Sequence, residues 1–273
     1  MKANGRKGGR VVQLTDTHIV ARGQRSFGCD TAAYLADAVR ATNALQPDYV
    51  LVTGDLTNNG EPAEYAHFRD VMRGLEAPYF AIPGNHDDPV TLRAELGAAH
   101  APDSGGAKLR YSVDGYAIRT IALDVTRAHN NPGAELDEAT FAWLELTLAS
   151  APSTATVIAV HQPPFRTGLW FLDAFGFRGA RRLKALVERS PHVGRVICGH
   201  VHCVRMAQWG RALAASAPST APQRVPEIFE SRRIAAIRRE RAGFAVHDWT
   251  PGEGMATTVY RRDDAGAYRP AES

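Results

Sequence analysis

Five short apolar runs, each stopping at an Asp, Asn or His, constrain this chain more than any other feature of its sequence. Val11-Val12-Gln13-Leu14-Thr15 leads into Asp16, and Asp48 to Thr53 leads into Gly54-Asp55. Pro78 to Ile82 leads into Pro83-Gly84-Asn85-His86, Thr156 to Val160 into His161, and Arg195 to Cys198 into Gly199-His200. Runs this short, continuous and β-branched are the pattern of strands covered on both faces. Ile118 to Leu123 reads as a further strand, and Gly243 to Trp249 with Met255 to Arg261 as a late hairpin. Helical patterns lie between the runs. Thr31 to Leu45 stops before Pro47, and Glu61 to Leu75 has Pro62 at its tolerant first turn. Asp137 to Leu148 and Arg181 to Val187 read the same way. Strands alternating with helices predict an α/β fold.

The chain has 273 residues, 44% of them hydrophobic, which suits one large domain or two small ones. Residues 11–262 read as a single domain, 1–10 as a flexible basic tail and 263–273 as a C-terminal tail. Two stretches fit the alternation poorly: 163–179, rich in Phe, Trp and Gly, and 218–241, with prolines and then the basic run Ser231 to Arg241. Each is a candidate lid, dimer contact or surface connection. No apolar stretch is long enough to span a bilayer. Met1 to Arg10 lacks the apolar segment of a secretory signal, so a cytoplasmic location is expected. A formal charge of +3 gives little pull toward nucleic acid or a membrane surface. Cys29, Cys198 and Cys203 are too few and too scattered for a disulfide framework, and no second cysteine pair completes a thiolate zinc site. Cys198 reads instead as the end of a buried strand.

The polar residues at the strand ends carry the chemistry. They are Asp16 and His18, Asp55, Asn85 and His86, His161, and His200 and His202. In a mostly parallel sheet, ligands bind beyond the carboxyl ends of the strands, so residues distant in sequence converge at one edge. Carboxylates and neutral imidazoles suit first-row transition metals. One Asp has two oxygens and can bridge two ions, while Asn offers a weaker neutral oxygen. Gly54, Gly84 and Gly199 permit the tight turns that aim these groups inward.

The series Asp16-x-His18, Gly54-Asp55, Gly84-Asn85-His86-Asp87, His161, Gly199-His200-x-His202 resembles the calcineurin-like metallophosphoesterases. The Gly-Asn-His-Asp form and the run Thr53 to Glu61 resemble the class III cyclic nucleotide phosphodiesterases and their glycerophosphodiesterase relatives. The resemblance implies a four-layer αββα sandwich, two mixed β-sheets flanked by helices, the metallo-dependent phosphatase fold. It implies that Asp16, His18 and His202 hold one metal, that Asn85, His161 and His200 hold a second, and that Asp55 bridges them. Iron, manganese, zinc and cobalt all occur in the family. The implied reaction is hydrolysis of a small phosphodiester by in-line attack of a metal-bridging hydroxide.

His86 follows a ligand but is not itself one in the family. The resemblance places it over the phosphoryl group, as leaving-group acid or charge stabiliser. Asp87 is expected to orient His86 by a hydrogen bond, with a helix cap or turn as the alternative. The motifs contain no arginine, which favours diesters over monoesters, although Arg166 or another loop arginine could enter the site. Phe165, Trp170, Phe171 and Phe175 follow His161 closely and would stack on a base, cover the pocket, form a dimer contact or pack on one another. Related insertions leave room for a homo-oligomer. The rival readings are a phosphomonoesterase or nuclease of the same superfamily and a scaffold that has lost its chemistry. Protein phosphatases usually carry Gly-Asn-His-Glu, where this chain has Asp87, and a scaffold would have lost ligands.

Overall fold

The structure is a computed structural model that describes residues 8–102, 106–221, 223–228 and 234–271; within 222–240 it describes backbone alone. Residues 1–7 of the expected basic tail lie outside the described residues, as do the side chains of the basic run up to residue 240.

In chain order the first half contains β1 (Gly9–Leu14), α1 (Thr31–Leu45), β2 (Tyr49–Thr53), α2 (Pro62–Met72), β3 (Tyr79–Ile82), α3 (Pro89–Leu96), β4 (Arg110–Val113) and β5 (Arg119–Leu123). Next come β6 (Ala134–Glu135), α4 (Glu138–Ser150), β7 (Thr156–Ala159), α5 (Trp170–Asp173), β8 (Phe177–Arg178), α6 (Ala180–Arg189) and β9 (Val193–Cys198). The remainder is all strand: β10 (Arg205–Trp209), β11 (Ala212–Ser216), β12 (Gln223–Ile228), β13 (Ile234–Glu240), β14 (Gly243–Thr250), β15 (Gly254–Arg262) and β16 (Tyr268–Pro270).

Local chemistry sets the helix ends. The side chain of Asp30 accepts from the Ala33 N–H at the start of α1, and that of Asp137 from the Thr140 N–H at the start of α4. Pro62 opens α2 behind a Glu61–Glu64 capping box. The strands form two six-stranded mixed sheets, ordered β16-β15-β14-β1-β2-β3 and β10-β11-β9-β7-β5-β4. In the first, β1, β2 and β3 run parallel; in the second, β5, β7, β9 and β11 do. The carboxyl ends of the central strands therefore lie together within each sheet.

One core joins α1 to α3 and the first sheet to Tyr111, Val157 and Ile197 of the second; another packs Phe141, Leu144, Leu183 and Val187 of α4 and α6 against the second sheet. This is the expected αββα layering. Buried hydrogen bonds also tie sheet to sheet. The Tyr49 hydroxyl of β2 donates to the Ile118 carbonyl at 3.0 Å, and Tyr111 of β4 donates to Ala81 O at 2.7 Å. Gln13 of β1 donates to Cys198 O at 2.9 Å. Each such bond contributes about 1 kcal/mol net, while an orphaned partner would cost more.

Two boundaries differ from the sequence reading. Gly9 and Arg10 belong to β1 rather than to a tail, because Arg10 pairs with Asp248 at 2.6 Å and its N–H donates to Asp48. The expected C-terminal tail contributes β16, which pairs with β15. The 163–179 stretch folds onto the body through α5 and the β6–β8 pair. The late hairpin forms as expected, with β14 antiparallel to β15.

Candidate metal centre

Every expected site residue sits just past the carboxyl end of a parallel strand: Asp16 and His18 after β1, Asp55 after β2, Asn85 and His86 after the edge strand β3, His161 after β7, and His200 and His202 after β9. The backbone there is unusual. Asp16, His18, Asp55, His200 and His202 all have positive φ, between 43° and 71°. L-residues adopt this region at a cost and keep it only where surrounding contacts enforce it. The enforcing contacts are backbone hydrogen bonds from Asp16 N–H to Gly54 O and from His18 N–H to Asp55 O, both 3.0 Å.

The glycines expected to make tight turns act differently from one another. Gly54 does have φ 95°, but Gly84 and Gly199 are needed for close approach. A Cβ on Gly84 would lie 2.1 Å from Asp55 Oδ1, and one on Gly199 would lie 2.7 Å from Asp16 Oδ2.

The side chains converge in two clusters. Asp16, His18, Asp55 and His202 form one, Asp55, His161 and His200 the other, and within each the donor atoms lie within 4.8 Å of one another. Asp55 belongs to both. Its Oδ2 is 3.3 Å from His161 Nε2 and 3.7 Å from His18 Nε2. His202 Nε2 lies 3.3 Å from Asp16 Oδ1 and 3.1 Å from His18 Nε2. Asn85 is 5% exposed and lines the same cavity as Asp55, His86, His200 and His202.

Unsatisfied atoms test whether this constellation suits cations. Buried polar atoms normally have partners. Among the described residues, His161 Nε2 and Asn85 Oδ1 have no hydrogen-bond partner. His161 Nδ1 is 2.8 Å from Thr53 O, which fixes that nitrogen as the donor and makes Nε2 the atom that can give a lone pair to a cation once its proton is displaced. Carboxylates, imidazoles and one amide oxygen are the donor set of first-row transition ions. The residues fit a pair of cations that share Asp55.

Without cations the charges are unbalanced. Burial pulls the His161 imidazole down, but the Asp55 and Asp16 carboxylates outweigh it and raise its pKa to about 9. Burial drives His18 and His200 down to about 3. Asp55 resists burial and stays well below the usual carboxylate range because of His161 and His18. One carboxylate thus serves three histidines that differ widely in proton affinity, an arrangement that cations would relieve.

His86 and Asp87 divide differently than expected. His86 Nδ1 lies 2.9 Å from Asn58 O, and the His86 N–H donates to Asp55 Oδ1 at 2.9 Å. Its ring stands edge-on to His18 at 4.9 Å, and it borders the cavity. Asp87 does not orient the His86 ring, nor does it cap a helix; Asp88 caps α3. Asp87 is a buried tie, accepting from the N–H groups of Leu56, Thr57 and Gly84 and from the Tyr65 hydroxyl. Burial, with the charge of Asp55, pushes its pKa up to about 6.

The cavity mouth is lined by Leu169, Phe171 and Leu172 from the 163–179 stretch, with Pro132, Asn130 and Val201. Arg166 lines an adjoining pocket that shares His200 and Val201. Of the aromatic residues singled out in the sequence, only Phe171 borders the metal-site cavity; Trp170 and Phe175 are largely exposed and Phe165 packs on the core under α4 and α6. Sequence reading missed Asn130 and Val201, since neither carries a motif; Ala128 to Gly133 announces a loop, not its destination.

The profile of the calcineurin-like phosphoesterase family matches residues 9–204, every expected ligand included. The chain is a calcineurin-like phosphoesterase. As a metal-dependent phosphoesterase it is 36% identical to the glycerophosphodiester phosphodiesterase GpdQ of Enterobacter lignolyticus, over 82% of this chain and 81% of that protein. It is 32% identical to the 3',5'-cyclic adenosine monophosphate phosphodiesterase CpdA of Escherichia coli K12, over 80% of this chain and 78% of that one. A dimetal phosphatase from Danio rerio has the same fold, with a TM-score of 0.70 at 15% identity, covering 97% of this phosphoesterase and 99% of its own chain.

Proposed function

We propose that this phosphoesterase hydrolyses small phosphodiesters, the class that includes cyclic nucleotides and glycerophosphodiesters, with a pair of transition-metal ions. The observation that carries the reading is the sharing of Asp55 by two donor clusters. In this reading Asp16, His18 and His202 hold one ion, Asn85, His161 and His200 the other, and Asp55 both. The names of the relatives GpdQ and CpdA support diester substrates.

A bound pair would supply Lewis acidity, lowering the pKa of water and offsetting charge on the phosphoryl oxygens. The protein's own groups do the rest. Thr53 O holds His161 with Nε2 forward, and the His200 N–H bonds to Asp16 fix that carboxylate at 3.0 and 3.1 Å. Asn58 O holds His86 by Nδ1, leaving Nε2 toward the cavity. There His86 protonates the departing alkoxide or stabilises phosphoryl charge. Leu169, Phe171 and Val201 add apolar surface to the cavity that His86 borders.

The donor set suits iron, manganese, zinc or cobalt. Three buried cysteines, none in a disulfide among the described residues, favour a reducing compartment, and we place the protein in the cytoplasm. Among the described residues no helix is long and apolar enough to cross a membrane. Exposed Trp170 and Phe175 suit a contact between copies of the chain. The test is elemental analysis of purified protein combined with turnover of bis(p-nitrophenyl) phosphate. Two ions per chain and chelator-sensitive hydrolysis are expected; metal-loaded protein without turnover would refute the reading.

A further inference from the structure

Among the described residues, eight non-glycine positions have left-handed backbone. Five are proposed ligands. Gln46 is the C-cap of α1, where this geometry is ordinary. Phe27 stands edge-on to the ring of His18, centroids 5.0 Å apart, and so packs on a ligand. That leaves Asn130, with φ 58°. After glycine, asparagine is among the residues that take this region most readily, so the turn accommodates the side chain.

Asn130 lies in a turn closed by Asn131 N–H to Ala128 O at 3.1 Å and by Gly133 N–H to Asn131 Oδ1 at 2.9 Å. Its own N–H donates to the carbonyl of Asn85 at 2.6 Å. The turn is thereby pinned to the backbone of a proposed ligand. Asn130, exposed to solvent, borders the same cavity as Asp55, Asn85 and His86, of about 420 Å³. Its side-chain amide, open to solvent, makes no hydrogen bond to another described residue and is available to a ligand. The residues bordering that cavity include neither lysine nor arginine. A phosphoryl group there meets one neutral, unspent amide and His86, with no fixed guanidinium or ammonium.

We infer that Asn130 is a substrate-contacting residue whose side-chain amide donates to a phosphoryl oxygen, fitting the cavity to singly charged phosphodiesters rather than doubly charged monoesters. The inference rests on the proposed function and names the group that selects its substrate class. A neutral donor stabilises a monoanion by a charge-assisted hydrogen bond but offers little against a second charge.

Asn130→Gly and Asn130→Asp both tolerate the left-handed backbone, so neither should disturb the turn. Both are compared with the wild type by metal content, by calorimetric titration with diethyl phosphate, and by kinetics on bis(p-nitrophenyl) phosphate and p-nitrophenyl phosphate. Asn130→Gly should keep both ions, bind diethyl phosphate roughly 10- to 100-fold more weakly, and raise KM for the diester correspondingly. Asn130→Asp should lose more on the monoester than on the diester, because its carboxylate repels a dianion more strongly. A merely structural role would lower both substrates equally. Equal losses, or binding and turnover within two-fold of wild type in both variants, overturn the inference. So does loss of metal in Asn130→Gly, which would mean that Asn130 acts by positioning Asn85. Failure of the proposed function looks different: wild-type protein would then carry its ions and hydrolyse neither ester, and the inference would fall with it.

Discussion

The strand bodies and the strand ends of this protein obey opposite rules. Within β2 every residue is buried, and the neighbouring helix α1 presents Leu35, Ala38 and Val39 to the same core. There, apolar side chains are packed and backbone groups are paired in register. A few residues further on, the chain turns left-handed at Asp16, His18, Asp55, His200 and His202, and His161 and Asn85 keep atoms unpartnered among the described residues. The strand bodies supply the stability that lets the ends remain strained and electrostatically unbalanced. If this division is right, changes at the ends should remove function with little loss of folding, and changes in the bodies should do the reverse.

The most severe test is Asp55→Ala. It removes the carboxylate common to both clusters, and we expect both ions to be lost and turnover to fall by more than about 1,000-fold. A full metal pair in that variant, by elemental analysis, would refute the shared role. His86→Ala should keep the ions and lose roughly 100- to 10,000-fold on substrates with poor leaving groups, as measured by kcat. Collapse of its metal content would make His86 part of the metal centre instead.

Leu35→Ala probes the other region. Its side chain is wholly buried, and truncation should cost about 2–5 kcal/mol in urea unfolding while turnover per folded molecule stays within two-fold. A drop in activity without a drop in stability would break the division. The smallest effect is expected at His247 of β14, which lies buried between Gln13 Oε1 at 3.2 Å and Thr257 Oγ1 at 2.9 Å. Burial lowers its pKa from 6.5 to about 4. The unfolded chain therefore takes up this proton first as pH falls, so stability present above pH 6.5 is lost as pH drops through about 4. In chelator-treated protein, His247→Gln should abolish about 2 kcal/mol of the loss between pH 7 and 5. An unchanged pH dependence would show that His247 is not buried neutral.

The two regions also differed in how plainly the sequence announced them. The run Asp48 to Thr53 and the pattern Thr31 to Leu45 became β2 and α1 almost residue for residue, because continuous β-branched runs and 3.6-residue periodicity are local signals. The edges were less legible. β16 and the Gly9-Arg10 start of β1 exist through pairing with distant strands, Arg10 reaching Asp248 across most of the chain. Asp87 lies inside a motif, and of its expected roles only the turn is met, through its N–H donating to Gly84 O and its carboxylate accepting from Gly84 N–H; its role as a tie was not foreseen. Its partners Leu56, Thr57 and Tyr65 come from another segment, and no spacing reveals them.

The order of apolar runs and of the Asp, Asn and His residues behind them is written in the chain, and it determined the alternating elements and the donor types available. Tertiary structure alone decided that Asp55 faces both clusters, that Gly84 and Gly199 stand aside for carboxylates, and that Asn130 reaches the cavity. The reason is that periodicity reports which face of an element is buried. Distances between side chains on different strands depend on how two twisted sheets settle against each other, which no local pattern encodes.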